Sequence, residues 1–429
     1  EDEYDVTVWD GQSTNEPAYD PATKTYTIKN GNELAWLAAA VNGTLETRAT
    51  VAPQTFQGKT FKLTKDINLD FNEWTPIGNK DNNFQGTFDG QGHKITNLLI
   101  TGNKRDVGLF GFTTSGEIKN LVVENAKVSG YLDVAVVAGT PYTSKYNNIT
   151  VQGHVEINGF AYVGAVGGKN AYADWTNITV NVDETSYVNA NSIEGSKAYR
   201  TYVGGVCGFN GEGSHSFKNI TSNIDVKGST CDVGGLFGIA HYGNKFENCS
   251  CSGDVEIYAA EEAVDAQEIG GIAGVWHNKD GQTVTMTNCS FTGKLKTNIA
   301  DVDFYYGGLV GKPYSKSGTG ILWLNGNKCL ANGMIEDENG NQIAYSDAGL
   351  TAALDKGATT VYLTEGTFII PDSAQGKTVT FIGTGAPEDT VIATQDDGSY
   401  EGCDYSLDGS TVVFENISIN TDSSNYTGY

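Results

Sequence analysis

Arginine, proline and methionine are scarce in this sequence of 429 residues. It holds three arginines (Arg48, Arg105 and Arg200), eight prolines and two methionines. With 27 basic against 52 acidic residues, the formal net charge is −25. This balance excludes the cationic surface that nucleic-acid binding requires. No apolar run approaches the roughly 18 residues that a membrane-spanning helix needs, so we expect no transmembrane segment.

Cysteine is also used sparingly, and its spacing argues against a metal centre. The seven cysteines include no CxxC pair, and CSC at 249–251 has the wrong spacing for a zinc knuckle. Cys249 and Cys289 hold equivalent places in neighbouring repeats, so we expect buried free thiols there. We therefore expect no metal site, no cofactor and no disulfide framework.

Glycine is abundant, with 54 residues, and much of it recurs in one short string. Two apolar residues three apart, such as Val233 and Leu236, cannot both face inward from a regular strand. The string therefore predicts a bend at Gly234–Gly235, where glycine also lets neighbouring chain segments approach closely. The copies read DVGLFG at 106–111, DVAVVAG at 133–139, YVGAVGG at 162–168, YVGGVCG at 202–208, DVGGLFG at 232–238, EIGGIAG at 268–274 and YYGGLVG at 305–311.

An asparagine at the start of a strand-like segment is the second repeating feature. From Asn120 to Asn288 the intervals are 28, 29, 42, 29 and 40 residues, a period typical of solenoids. Apolar positions after each asparagine alternate with period two, as in a strand. Asparagine tolerates a left-handed corner, and stacked amides can bond from coil to coil. The predicted ladder comprises Asn97, Asn120, Asn148, Asn177, Asn219, Asn248 and Asn288.

These repeats predict an all-β chain folded as a right-handed parallel β-helix with an N-terminal capping helix. GNELAWLAAAVNG at 31–43 is the strongest helical segment, with Asn32 as its expected cap. We predict an N-terminal strand and helix cap at 1–54, the β-helix at 55–332 and a hairpin linker at 333–345. Residues 346–429 are expected to form a small β-helix-like domain that is cut short.

The run from Asn32 to Gly311 resembles the GLUG-motif proteins, which are secreted or surface-anchored β-solenoids of gut bacteria. VGGLFG, WTPIG at 74–78, FQGTFDGQGHKITNLLI at 84–100 and the strands that contain the ladder asparagines carry the match. Residues 346–429 resemble the opening of a pectate-lyase-like right-handed β-helix. The resemblance implies an adhesin-type protein at the outer surface of a bacterium or outside the cell.

Aromatic residues just past the glycine strings form the most suggestive functional pattern. If the coils stack in register, these side chains form a column along one edge. Such a column can present rings to a ligand, or it can pack on itself to cover the corner. The candidate ligand-binding residues are Tyr142, Tyr172, Tyr242, Trp276, His277 and Tyr314.

We therefore favour a non-enzymatic adhesion or binding protein that contacts a host or dietary glycan, or a protein receptor, through this aromatic edge. No residue pattern identifies a catalytic site. The alternatives are a polysaccharide lyase or glycoside hydrolase whose acids converge only in three dimensions, and a structural stalk. Carboxylates and lysine converging in a groove would favour the enzyme, whereas a tightly self-packed column would favour the stalk.

Overall fold

A computed structural model describes most of the chain. The described residues are 8–45, 53–191, 201–229, 232–258, 268–277, 279, 282–298, 304–305, 308–311, 313–314, 321–325, 327–330, 334–336, 342–393 and 409–420. Within these ranges, no helix is long and apolar enough to cross a membrane.

The described part of the chain is all-β, with stacked parallel strands and two short α-helices, as predicted for a β-helix-like fold. Its right-handed coiling stays a prediction. The six-stranded sheet, called the short sheet below, contains Arg105–Val107, Leu132–Val134, Ala161–Val163, Tyr202–Gly204, Asp232–Gly234 and Glu268–Gly270.

Each strand of the short sheet leads through a bend into a strand of a second, nine-stranded sheet. The second sheet contains Phe110–Thr114, Ala138–Tyr142, Gly167–Asn170, Cys207–Asn210, Phe237–Ala240, Ala273–His277, Phe304–Tyr305, Val310–Gly311 and Pro313–Tyr314.

The largest sheet has 24 strands and closes each coil. It contains Ala18–Asp20, Thr25–Ile28, Thr60–Leu63, Ile67–Asn68, Thr87–Asp89, Lys94–Ile100, Glu117–Ser129, Lys145–Gly159, Trp175–Val182, Tyr187–Ala190, Ser216–Ser222, Asp225–Gly228, Lys245–Cys251, Val255–Ile257, Thr283–Thr287, Ser290–Phe291, Leu295–Thr297, Ile321–Leu324, Asn327–Leu330, Met334–Glu336, Gln342–Ala344, Thr360–Leu363, Thr378–Gly383 and Thr411–Glu415.

The N-terminal helix, Gly31–Asn42, lies beside the first strands, where Asn42 accepts a hydrogen bond from the Gly78 amide at 3.1 Å. It buries Leu34, Leu37 and Val41 in the core and ends at Gly43, whose φ is 71°. Its cap is Asn30, whose side chain accepts a hydrogen bond from the Glu33 amide at 3.0 Å. The prediction that Asn32 caps the helix is wrong, because Asn32 lies inside the first turn.

The C-terminal part begins with an antiparallel meander. Met334–Glu336 and Gln342–Ala344, within the predicted hairpin linker, pair antiparallel, and the residues between them lie outside the described part of the chain. The second helix, Asp347–Asp355, is capped by Ser346. A three-stranded parallel sheet of Gly366–Ile369, Thr390–Ala393 and Ser418–Asn420 follows. The buried residues around Leu350, Leu354 and Phe381 form a core cluster separate from the main one.

The glycine string forms the predicted bend. The strand ends at Gly234 and resumes at Phe237, and the side chains of Val233 and Leu236 are both fully buried. A Cβ atom added at Gly235 would collide with the carbonyl oxygen of Gly271 in the next coil. Glycine is therefore required because the coils approach too closely for any side chain.

Gly235→Ala is expected to destabilise the protein by about 2–4 kcal/mol, because the clash involves backbone that cannot rotate away. The matched control is Gly211→Ala, whose added Cβ would lie 3.5 Å from the Ala171 Cα, an ordinary contact. Thermal unfolding followed by circular dichroism measures both changes. Equal losses in the two variants would contradict this account of the bend.

The predicted ladder asparagines all have left-handed backbone conformations, with φ between 50° and 60°. Asn219 donates to the Oδ1 atom of Asn177 at 2.9 Å and accepts from the Nδ2 atom of Asn248 at 3.0 Å. Asn288 continues the series to Asn248 at 2.8 Å. Asn177 breaks the series, because its Nδ2 atom donates to Oδ1 of Asn147 at 3.4 Å rather than to the ladder residue Asn148. The ladder runs mainly along solvent-facing corners rather than in the core.

Substitutions at Asn219 should separate the two roles of the ladder. Asn219→Ala loses the amide bonds and strains the left-handed corner, which should cost about 2–3 kcal/mol. Asn219→Gly loses the bonds but accepts the corner, so it should cost about 1 kcal/mol less. Denaturant midpoints measured side by side test this order. A glycine variant as unstable as the alanine variant would contradict it.

Candidate functional site

Two of the predicted aromatic residues are strongly exposed and lie together. The side chains of Tyr142 and Tyr172 are 38% and 43% exposed. Their ring centroids are 5.7 Å apart, edge to face at 88°. Phe112 lies 6.1 Å beyond Tyr142, and His215 lies 5.7 Å beyond Tyr172. We call these four residues the tyrosine edge.

A carboxylate borders the tyrosine edge. Asp174, an exposed residue, accepts a hydrogen bond from the Ser216 amide at 2.8 Å. Its Oδ1 atom lies 3.9 Å from Nδ1 of His215. The edge therefore combines apolar ring faces with oxygen and nitrogen atoms that can bond to hydroxyl groups.

Tyr242 and His277 lie together further along the stack. The centroid of the Tyr242 ring is 5.4 Å from that of His277, and the His241 ring lies 4.4 Å from Tyr242. Burial, followed by repulsion from His277 and Lys279, lowers the pKa of His241 to about 3. We call His241, Tyr242 and His277 the histidine corner.

The structure contradicts the expectation that Trp276 lies on the exposed edge. Its side chain is fully buried, because neighbouring residues on a strand face opposite sides and His277 takes the outward position. The Tyr314 backbone pairs with His277, as the predicted column requires. The side chain of Tyr314 lies outside the described part of the structure.

The predicted column is interrupted between the tyrosine edge and the histidine corner. The coil that carries His215 has Gly211 at the strand position that Tyr142 and His241 hold in other coils. Among the described residues, the histidine corner instead contacts Phe209, whose ring lies 6.1 Å from His241. The candidate residues therefore form two clusters rather than one surface.

Sequence reasoning missed a second column, at the first position of each glycine string. Strand pairing places its members in register, one per coil. The sequence contained this signal, because the first residue of every glycine string is Asp, Glu or Tyr. This acid–tyrosine column comprises Asp106, Asp133, Tyr162, Tyr202, Asp232 and Glu268.

Residues of the second sheet pack against the acid–tyrosine column. Thr140 donates a hydrogen bond to Asp106 at 2.6 Å. The Lys169 ammonium lies 5.4 Å from the ring centroid of Tyr162, which stacks on Tyr202 at 6.0 Å. Two acidic residues, two tyrosines and two acidic residues thus follow one another along the column.

Asp133 is the most perturbed carboxyl group of this column. Its side chain is 5% exposed, and Nη2 of Arg105 lies 3.7 Å from its Oδ2 atom. Its Oδ1 atom has no hydrogen-bond partner among the described residues. Burial, followed by repulsion from Asp106, raises the pKa of Asp133 to about 7. Burial also raises the pKa of Asp106. The pair therefore retains a proton near neutral pH.

A surface cavity of about 470 Å³ lies elsewhere and is strongly acidic. Asp183, Glu184, Asp225 and Asp254 line it. Local groups already bind two of these carboxylates: Thr185 and Ser186 donate to Asp183, and Lys296 lies 2.7 Å from Asp254. Among the described residues, no three His, Cys, Asp or Glu side chains are grouped to hold a metal ion.

No protein-family model matches this chain, so the GLUG resemblance stays a prediction. Halomucin of Haloquadratum walsbyi is 34% identical over 161 residues, which cover 32% of this chain and 2% of halomucin. A crystal structure of a Bacteroides ovatus protein, titled as a candidate immunoglobulin A1 protease, aligns with a TM-score of 0.39 and 17% identity. That alignment covers 75% of this chain and 92% of the other. The function therefore has to be inferred from this chain's own residues.

Asp133 is expected to make stability depend on pH. The unfolded chain ionises this group near its ordinary pKa of 3.8, whereas the folded protein holds the proton until about pH 7. Its stabilising contribution is thus complete below pH 3.8 and is lost as the pH rises through 7. The loss amounts to roughly 4 kcal/mol.

Asp133→Asn should remove this dependence, so its melting temperature relative to wild type should increase between pH 4 and pH 8. Asp81→Asn, at an exposed carboxyl, serves as the matched control and should follow wild type. Melting curves at several pH values check both. Parallel curves for wild type and Asp133→Asn would rule out a proton-retaining pair.

Proposed function

We propose that this chain is an exported, non-enzymatic binding protein of the right-handed, GLUG-type β-solenoid class. It contacts an extended polymer, a host or dietary glycan, through the tyrosine edge. The exposed pair Tyr142–Tyr172 is the observation that carries the proposal. We also propose that residues 55–332 and 346–429 are separate units, with the first carrying the binding surface.

The contrast between exposed and buried aromatic residues supports a binding role. Tyr146 and Trp175 are 1% and 0% exposed, so aromatic rings in this repeat are buried wherever packing requires them. Tyr142 and Tyr172 instead leave large apolar faces in water, which packing alone does not require. Their exposure, together with Asp174 beside them, suits a ligand with both apolar faces and hydroxyl groups.

Two further observations support a location outside the cell. The charge of −25 disfavours intracellular polyanions as partners. The local similarity to halomucin, a protein named as a mucin, is in keeping with an exported surface or secreted protein. On this proposal the protein lies at the outer surface of a bacterium or beyond it.

The lyase or hydrolase alternative has one observation in its favour. Asp106, Arg105 and Lys169 lie close to Asp133, and a carboxyl that keeps its proton near pH 7 suits a general acid. However, the 5% exposure of the Asp133 side chain leaves no room for a sugar to reach it. The stalk alternative is favoured by the ring contacts within the tyrosine edge, but it does not require the exposure of these rings.

Affinity electrophoresis through gels that contain mucin glycans, pectins or other polysaccharides tests the proposed function. We expect one polymer to retard the wild-type protein. Tyr142→Ala and Tyr172→Ala should each reduce the apparent affinity by about tenfold or more, because each removes one ring face of the pair.

Tyr362→Ala is the matched control, because Tyr362 is 41% exposed and belongs to the C-terminal part. It should migrate like wild type. Uniform mobility in every gel would refute glycan binding. Release of shorter products from the retarded polymer would favour the enzyme instead.

A further inference from the structure

We propose that His241 and His277 form a two-histidine binding site for a divalent transition-metal ion of the Cu²⁺ or Ni²⁺ type. The two residues occupy the same position on successive coils. Ala240 and Trp276 pair in register just before them, so the two imidazoles follow directly from paired strand positions. This proposal is independent of the glycan-binding proposal.

The distance between the two rings suits a shared metal ion. Nδ1 of His277 lies 2.9 Å from Nε2 of His241, and the two atoms share a hydrogen bond. A metal ion would replace the shared proton, which moves to the other nitrogen of its ring or to water. The ring centroids are 4.5 Å apart, with planes at 83°. A metal ion about 2.0 Å from both nitrogen atoms would see them at an angle of roughly 90°.

That angle discriminates between metals. Adjacent ligands at about 90° belong to the square-planar and tetragonal sites of Cu²⁺ and Ni²⁺. Tetrahedral Zn²⁺ would instead need the two nitrogen atoms about 3.3 Å apart. The geometry therefore points to Cu²⁺ and Ni²⁺ ahead of Zn²⁺, and the general order of affinities places Cu²⁺ first.

The fold holds the two imidazoles in place before any metal arrives. His277 ends the strand Ala273–His277, and His241 directly follows the strand Phe237–Ala240. The His241 ring is 7% exposed in its pocket beside Phe209 and Tyr242. Little conformational entropy is then lost on binding.

The remaining coordination positions would not come from the described part of the protein, where no group of three metal-binding side chains occurs. Water or a small co-ligand has to fill them. Lys279 places its ammonium 5.2 Å from the Tyr242 ring centroid, at the rim of the corner. A nearby cation repels a bare divalent ion, so it favours a metal complex whose anionic co-ligand lowers the net charge.

Cu²⁺ bound to nitrilotriacetate is the matching probe, because this anionic complex leaves a pair of adjacent coordination positions open. Protein without a polyhistidine tag is titrated and followed by electron paramagnetic resonance. We expect one equivalent bound and hyperfine coupling from two imidazole nitrogens. His277→Gln should weaken binding by at least about tenfold, since it removes one of two ligands.

His93→Gln, at another partly exposed histidine, is the matched control and should bind like wild type. Melting temperatures confirm that the variants are folded, and the wild-type spectrum reports the ligands even if a variant fails to fold. Coupling from a single imidazole, or equal binding by wild type and His277→Gln, would overturn the site. Tighter binding of Zn²⁺ than of Cu²⁺ would overturn the metal assignment.

Discussion

Stacked coils approach one another so closely at the bend of residues 232–238 that a single added carbon atom has no room. At Gly235 the obstacle is the backbone of Gly271 in the next coil, and at Gly238 it is the carbonyl oxygen of Gly208 in the preceding one. Each bend therefore fits against the bends above and below it. This contact fixes the register of successive coils, and every column of side chains described here depends on that register.

Because successive coils are in register, one residue type repeated at the same position forms a ladder of side chains. The free energy of such a ladder depends on the chemistry of the side chain. Asparagine can donate to one neighbour and accept from the other, so identical side chains stabilise one another along the stack. Carboxylates cannot do so, because like charges about 4.8 Å apart repel. The acid–tyrosine column meets this cost in three ways: Asp133 keeps a proton, Arg105 and Lys169 lie close by, and Tyr162 and Tyr202 separate the two acidic pairs.

The binding role that we propose for the surface also depends on this register. A column repeats one chemical group along an axis, which suits an extended repetitive ligand better than a compact one. Tyr142 and Tyr172 lie one position out of register on successive coils and both expose a ring, whereas the Asp133 carboxyl is buried. Our proposal of a binding surface rather than a catalytic site rests on this difference in exposure.

The sequence by itself determined the features that are local in the chain. A bend that buries both Val233 and Leu236, a left-handed corner at each ladder asparagine and a helix near Leu34 each follow from a few neighbouring residues. The tertiary structure decided which side chains lie opposite one another in neighbouring coils. Trp276 and His277 differ by one position, yet one is buried and the other reaches the surface, because the bend sets which side of the strand faces out. His241 meets His277, and Asp106 meets Asp133, only because loops of unequal length return each coil to the same register.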